Sequence, residues 1–462
     1  MSTHAEHDRF APFAQRMDHA GMPALATETF RAHYTALVNG DTGEIPESSI
    51  TPVESLPDLE TLPESLAELG RNTLHQAVFV KLNGGLGTSM GLDRAKSLLP
   101  VRGDQTFLDL IARQAQDAGC PLLLMNSFRT REDTLAALAA WPGLSQNGLP
   151  IDFLQHQVPK VNADSLAPAE HADDTLTWCP PGHGDLFTAL VTTGLLSQLR
   201  AAGRRYLFVS NSDNLGAVLD LRILGWVVSE QIPFLMEAAD RTEADRKGGH
   251  LALQGDRFIL RETAQCPKAD EGYFQDHTRH RYFNTNNLWI DLDALAQQMD
   301  GGKPMVLPLI RNRKTVDPQD PTSAVVYQLE TAMGAAIAVF PGARALRVPR
   351  SRLVPVKTTA DLLRVRSDAA RLEADGRLVP NTSLPVAITL DDRFTKMVPG
   401  LDAHFPAGPP SLQNCRSLVV RGDVVFGANV VCAGDVRITA PDGVQVHIQD
   451  GAYLSGDVTF DA

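Results

Sequence analysis

No stretch of about 18 uncharged apolar residues occurs in the 462-residue chain, so no segment is expected to cross a membrane as a helix. Positive charge is also in deficit: 42 Lys and Arg face 55 Asp and Glu, a formal net charge of -13. General nucleic-acid binders hold phosphate backbones with surplus Lys and Arg, so that class is set aside. An anionic substrate must meet a local cluster of cations instead. Cysteine is scarce. Cys120, Cys179, Cys266, Cys415 and Cys432 lie far apart with no CxxC, which argues against a disulfide framework and for the reduced thiols of a cytoplasmic protein. The first residues, MSTHAEHDRFAPF, lack the basic segment and apolar core of a secretory leader.

With 43% hydrophobic residues the chain can build a large core and more than one domain. Residues 1 to about 40 read as amphipathic helix, with Phe10, Phe13, Met17 and Met22 among charged residues. The polar, proline-dotted GEIPESSITPVESLPD reads as a surface linker. From about residue 74 apolar runs alternate with helical periodicity. Thr106 is placed to cap a helix that stops at Gly119. Such alternation predicts a mostly parallel sheet covered by helices on both faces. KGGHLALQGDRFILRE, turning at Gly255-Asp256, predicts an inserted hairpin. After about residue 391 the chain is rich in Val and Gly with turns every few residues, the pattern of stacked β-coils or a small sandwich. The expected units are therefore 1–55, an N-terminal helical segment and linker; 56–390, a catalytic domain; and 391–462, a C-terminal β domain.

Ligands of open α/β sheets bind beyond the carboxyl ends of the strands, where this chain's polar clusters fall. VFVKLNGGLGTSMGLDRAKS (78–97) runs from an apolar strand into glycines. It is no Walker A loop, which needs G-x-x-x-x-G-K-[ST], and Gly85, Gly87 and Gly91 are spaced one residue too widely for G-x-G-x-x-G. A backbone cradle for a polyphosphate remains, beside the plainer reading of a tight turn. Asp213, in SNSDN after an apolar strand, suits Mg²⁺, which takes one or two protein oxygens plus substrate phosphates; a turn-capping carboxylate would look the same. His183 lies between glycines in PPGHGD, just before a helix, where an anion could approach. Lys357 stands between an apolar run and the cap-like Thr358-Thr359 and can reach inward as a point charge. FNTNNLW (283–289) sets asparagines between aromatics, which suits sugar hydroxyls or a hydrogen-bonded turn.

Eight segments together resemble one family. KLNGGLGTSMG (81–91), LLMNSFRTREDT (123–134), PPGHGD (180–185), FVSNSDNLGA (208–217), ADRKGGHL (244–251), FNTNNLW (283–289), QLETAMGAAI (328–337) and VPRSRLVPVKTTADLL (348–363) closely resemble the eukaryotic-type UTP–glucose-1-phosphate uridylyltransferases, the UDP-glucose pyrophosphorylase family. The resemblance covers about residues 75–370, and the Val/Gly-rich end looks like that family's β-helix. It implies an α/β, glycosyltransferase-A-like nucleotidyltransferase domain with a C-terminal left-handed β-helix. The implied reaction joins UTP and glucose 1-phosphate into UDP-glucose and diphosphate, reversibly and with Mg²⁺. Carried over by motif, Leu82, Asn83, Gly84 and Gly85 would contact the nucleotide and Lys96 its triphosphate. Gln155, in the weaker match FLQHQVPKV, and Gly182 would read the uridine. His183, Asn211, Ser212 and Asn286 would take the sugar phosphate. Asp213 would hold Mg²⁺, and Lys357 would face the reacting phosphates. One departure is Arg94-Ala95 in GLDRAKS, where the family usually has Gly-Pro before the lysine, which bears on the rigidity of the loop.

The implied chemistry is positioning and charge neutralisation between two anions, without a covalent nucleophile. Competing expectations are the same chemistry on N-acetylglucosamine 1-phosphate or several sugar 1-phosphates, and a non-catalytic nucleotide-sugar sensor. A sensor would be marked by loss of Asp213, Lys96 or Lys357, and all three are present. A homo-oligomer built through the C-terminal domain is a further expectation.

Overall fold

Strands that are apolar on both faces can only lie between two covering layers, and here they do. In the computed structural model, which describes residues 3–146, 148–382 and 385–460, Ala77–Asn83, Leu122–Asn126 and Tyr206–Asn211 are buried almost throughout. The helical expectation for residues 1 and 2 and the strand expectation for 461 and 462 lie outside the described residues. Tyr206–Asn211, Ala77–Asn83, Leu122–Asn126 and Asp152–Leu154 run parallel in that order within a 10-stranded sheet. Leu186–Thr192 and Leu195–Ala201 pack on one side of it, and Phe107–Ala118 and Leu221–Ser229 on the other. The helix at 107 starts as read: Thr106 and Asp109 form a reciprocal capping box, and Gly119 ends it in the left-handed region.

The sheet is mixed rather than mostly parallel. Beyond Tyr206–Asn211 the ten-residue strand Tyr282–Asp291 runs antiparallel, and Phe234–Asp240 and the hairpin His250–Gln254/Arg257–Arg261 join it there. That strand carries FNTNNLW. Its register with Phe234–Asp240 shifts between Met236 and Ala238, opposite Asn286, whose φ is +57°; such a bulge re-aims side chains.

The expected linker is a strap held to the sheet. Thr51–Pro52 pairs with Ala252 and Leu253, and Ile50 and Val53 are buried. Glu47 fastens it: the buried carboxylate accepts from Arg261 at 2.7 Å, Arg279 at 2.7 Å and His280 at 3.1 Å. The carboxylate's partners come from 214 or more residues away, so no local pattern announced them. Ahead of the strap, Thr3–His19 and Ala24–Val38 form the expected helices, with the rings of Phe10, Phe13, Phe30 and Tyr34 packed at tilted angles between them.

At the other end, Asp392–Thr395 and Val398–His404 are helices that the Val/Gly pattern did not indicate. Beyond them the described strands pair in parallel with one about a coil away: Leu418 with Val436, Val436 with Gly456, and Val424 with Val446. Their inward residues, such as Leu418, Cys432 and Ile438, continue the core of the α/β part. Among the described residues no helix is long and apolar enough to cross a membrane.

Candidate active site

The order of the four parallel strands reverses between Ala77–Asn83 and Tyr206–Asn211, and a crevice opens at such a switch point. Both strands end there, with Leu82 beside Asn211. The glycine loop leaves the first strand and folds back so that the Lys96 N–H donates to the Gly85 carbonyl at 3.1 Å. Gly87 sits at φ +66°, a left-handed conformation that suits glycine. The return brings Lys96 Nζ to 2.7 Å from Asp213 Oδ2, and Nζ also donates to the Val356 carbonyl. Lys357 Nζ reaches the same Oδ2 at 2.8 Å. Three groups expected from distant motifs thus meet at one carboxylate.

Asp213 is 5% exposed and its Oδ1 has no hydrogen-bond partner. Burial acts to raise its pKa, but Lys357 and Lys96 outweigh it and hold the carboxyl below its ordinary value. Lys96 is enclosed, whereas the Lys357 side chain is 60% exposed. Behind them lies a lysine the motif reading passed over. Lys81 is fully buried, and its Nζ donates to the carbonyls of Asn214 at 3.3 Å and Ala217 at 3.2 Å. Burial brings its pKa down to about 7 against the pull of Asp213. A lysine amid Val78, Phe79, Val80 and Leu82 was the available signal.

Gly182 has φ +79°, and a Cβ there would lie 2.3 Å from the Thr331 carbonyl. PPGHGD and QLETAMG are clamped together: the Thr331 N–H donates to Pro181 O and the Gly184 N–H to Thr331 O, each at 2.9 Å. The Met333 N–H donates to His183 Nδ1 at 3.0 Å, so the ring proton of the neutral imidazole sits on Nε2. Burial, reinforced by Lys357, lowers the His183 pKa to about 4. The ring is therefore a neutral donor at physiological pH. Gln155 Nε2 donates to the Gly182 carbonyl at 2.9 Å, which joins both expected uridine readers.

The Asn83 side chain turns into the sheet, donating to Asn126 Oδ1 at 2.8 Å and Thr134 Oγ1 at 2.9 Å. Ser212 is buried and its N–H donates to the Leu82 carbonyl at 3.2 Å. Asn211 ends its strand half-buried. Asn286 exchanges two 2.9 Å bonds with Asn284, and the Asn284 N–H reaches Gly249 O at 3.1 Å, so FNTNN and KGGH form one wall. Glu262 lies against Gly249, and burial raises its carboxyl to about 7.

The loop bearing Lys357 is fixed from below by Arg352, which grips the fully buried Glu237 with two 2.7 Å bonds. Asn287 and Trp289 donate to the same carboxylate at 3.0 and 2.9 Å. None of this was legible locally, because Glu237 sits in the apolar run PFLMEAAD.

A family model for UTP–glucose-1-phosphate uridylyltransferase matches residues 27–433. The UTP–glucose-1-phosphate uridylyltransferase of Hordeum vulgare is 40% identical over 451 residues, covering 93% of this chain and 92% of that protein. That of Saccharomyces cerevisiae is 41% identical over 406 residues, covering 86% and 79%. Among solved structures, the UDP-glucose pyrophosphorylase from Leishmania major, known in open and closed structures, matches with a TM-score of 0.91 at 43% identity over 98% of this chain and 99% of that one. The UDP-glucose phosphorylase from Trypanosoma brucei matches with a TM-score of 0.88 at 44% identity over 98% and 100%.

Proposed function

Because the chain belongs to the UTP–glucose-1-phosphate uridylyltransferase family, we propose that the crevice around Asp213 is where it joins its two substrates. The protein is an enzyme that forms UDP-glucose and diphosphate from UTP and glucose 1-phosphate. The observation that carries the site assignment is the convergence of Lys96 and Lys357 on one oxygen of Asp213, with the other oxygen bare.

A phosphate oxygen of the sugar attacks the α-phosphorus of UTP and diphosphate leaves, so the chain has to hold anions together rather than supply a nucleophile. The backbone at Leu82, Asn83, Gly84 and Gly85 lies along the triphosphate. Lys96, tethered to Val356 O, is the fixed cation. Lys357, largely exposed, is the one that turns from Asp213 to the reacting phosphates. His183 offers Nε2–H to the sugar phosphate without adding charge, together with Asn211 and Ser212. Asn286 lies on the sugar side, and Gln155 and Gly182 meet the base. A buried carboxylate oxygen with no partner fits a cation. Among the described residues no group of three or more His, Cys, Asp or Glu could hold a metal by itself. Asp213 would therefore hold Mg²⁺ jointly with substrate phosphates, and Mg²⁺ supplies charge neutralisation when bound.

On the same reading the units are 1–55, 56–390 and 391–462, the C-terminal coils wind as a left-handed β-helix, and the enzyme works in the cytoplasm. Copies would associate through the C-terminal unit, whose last strand, Tyr453–Thr459, carries the 71% exposed Tyr453. The deciding experiment is diphosphate release from UTP with a panel of sugar 1-phosphates, with and without Mg²⁺. Glucose 1-phosphate should lead and turnover should need the metal. N-acetylglucosamine 1-phosphate in first place, or turnover in chelator equal to that with metal, would overturn the corresponding part.

A further inference from the structure

Four residues close a hydrogen-bonded ring beside the assigned base site. Gln155 Nε2 donates to the Gly182 carbonyl at 2.9 Å, and the Asp185 N–H donates to that same carbonyl at 3.2 Å. The Asp185 carboxylate accepts twice from His156, from its backbone N–H at 2.7 Å and from Nδ1–H at 2.8 Å. His156 follows Gln155 in the chain and completes the circuit. The Thr192 hydroxyl lies 3.0 Å from His156 Nε2. The His156 and Asp185 side chains are 9% and 5% exposed, so water scarcely competes for these bonds, and a buried charged acceptor enforces one geometry.

The ring has a chemical consequence at Gln155. Its backbone N–H is taken by Asn126 O at 2.8 Å and its Nε2 points back to Gly182. The amide oxygen is the group left over, and a Cβ on Gly84 would lie 2.9 Å from it, so it faces the glycine loop. A side chain pinned this way presents an acceptor. Uracil carries a proton on N3 and cytosine does not, so an acceptor here pairs with one and opposes the other.

We propose that His156 and Asp185 are positioning residues for base selection: their pairing locks Gln155 with its oxygen toward the nucleotide and so builds the preference for UTP over CTP. The proposal rests on Gln155 and Gly182 facing the base. The helical register places Thr192 behind the pair as its third contact.

The test is steady-state kinetics with UTP and with CTP at saturating glucose 1-phosphate, on H156A, H156N and Q155A, with thermal midpoints recorded. H156A should lower the UTP:CTP ratio of kcat/KM by about tenfold, through a raised KM for UTP, with the KM for glucose 1-phosphate changed less than about twofold. H156N, whose amide N–H can replace Nδ1–H toward Asp185, should recover most of the ratio. A folded H156A with an unchanged ratio, or H156N no better than H156A, overturns the proposal. If Q155A itself keeps the ratio, the base-site reading fails rather than the clamp alone. Should H156A not fold, Asp185→Asn carries the test, since it removes the charge and sets an amide NH2 donor where a carboxylate oxygen accepts from His156; an unchanged ratio there is equally fatal.

Discussion

One oxygen of Asp213 receives both Lys96 and Lys357 while the other stays bare. The crevice therefore keeps its cations close and its carboxylate charged, without a protonation step. Lys357→Ala should lower kcat by about 10²–10³ and leave the thermal midpoint nearly unchanged, because the side chain is mostly in solvent. Near-normal turnover would remove Lys357 from the reacting phosphates. Ala95 tells of the loop before it. The family's usual proline is missing, yet Ala95 has φ -54°, within proline's range. Ala95→Pro should stabilise the folded chain by about 0.4–1 kcal/mol by narrowing the unfolded ensemble and lower the KM for UTP. A lower urea midpoint for this variant would mean that the loop needs freedom at Ala95.

The strand Phe234–Asp240 and the turn after it are bound to the segment before Lys357 by three arginines on three acids: Arg352 on Glu237, Arg350 on Asp245 and Arg347 on Asp240. The last two pairs reach solvent and matter less. Glu237 with Arg352 is buried and carries two further donors, so removing one partner leaves a lone buried charge. Glu237→Ala should cost about 3–5 kcal/mol in urea unfolding, and the surviving fold should lose kcat because the loop bearing Lys357 loses its anchor. A cost below about 1 kcal/mol would show that solvent reaches the pair. The strap 43–58 is a second long-range fastening, in which one carboxylate, Glu47, gathers Arg261, Arg279 and His280.

Across the whole molecule, burial lowers the pKa of His33, His183, His250 and His280, with His183 at about 4 and His250 at about 2. An unfolded histidine takes a proton below about pH 6.5, which the folded His183 refuses until about 4. Their stabilisation is thus whole above pH 6.5 and drains as pH falls toward 4, on the order of 3 kcal/mol for His183 alone. Glu262 and Glu330, both raised by burial, oppose them. The Glu262 carboxyl, raised to about 7, favours the fold at low pH and loses that contribution as pH rises from 4.5 to 7. Four histidines outweigh two carboxyls, so the thermal midpoint should fall steadily from pH 7 to 5. A flat profile would mean that these rings open to water.

Residues close in sequence made much of this protein readable from its chain. The capping box at Thr106, the glycine loop, the β-coil periodicity and the motif residues Lys96, Asp213, His183 and Lys357 each depend on short-range pattern, and the structure brings the last four into one crevice or its wall. Distance in sequence hid the rest. The antiparallel flank, the strap on Glu47, the buried Glu237–Arg352 pair, the inward turn of Asn83 and the ring of Gln155, His156, Gly182 and Asp185 arise from partners that local pattern does not join. A buried charge is stable only where its partner arrives, and that arrival is a property of the fold.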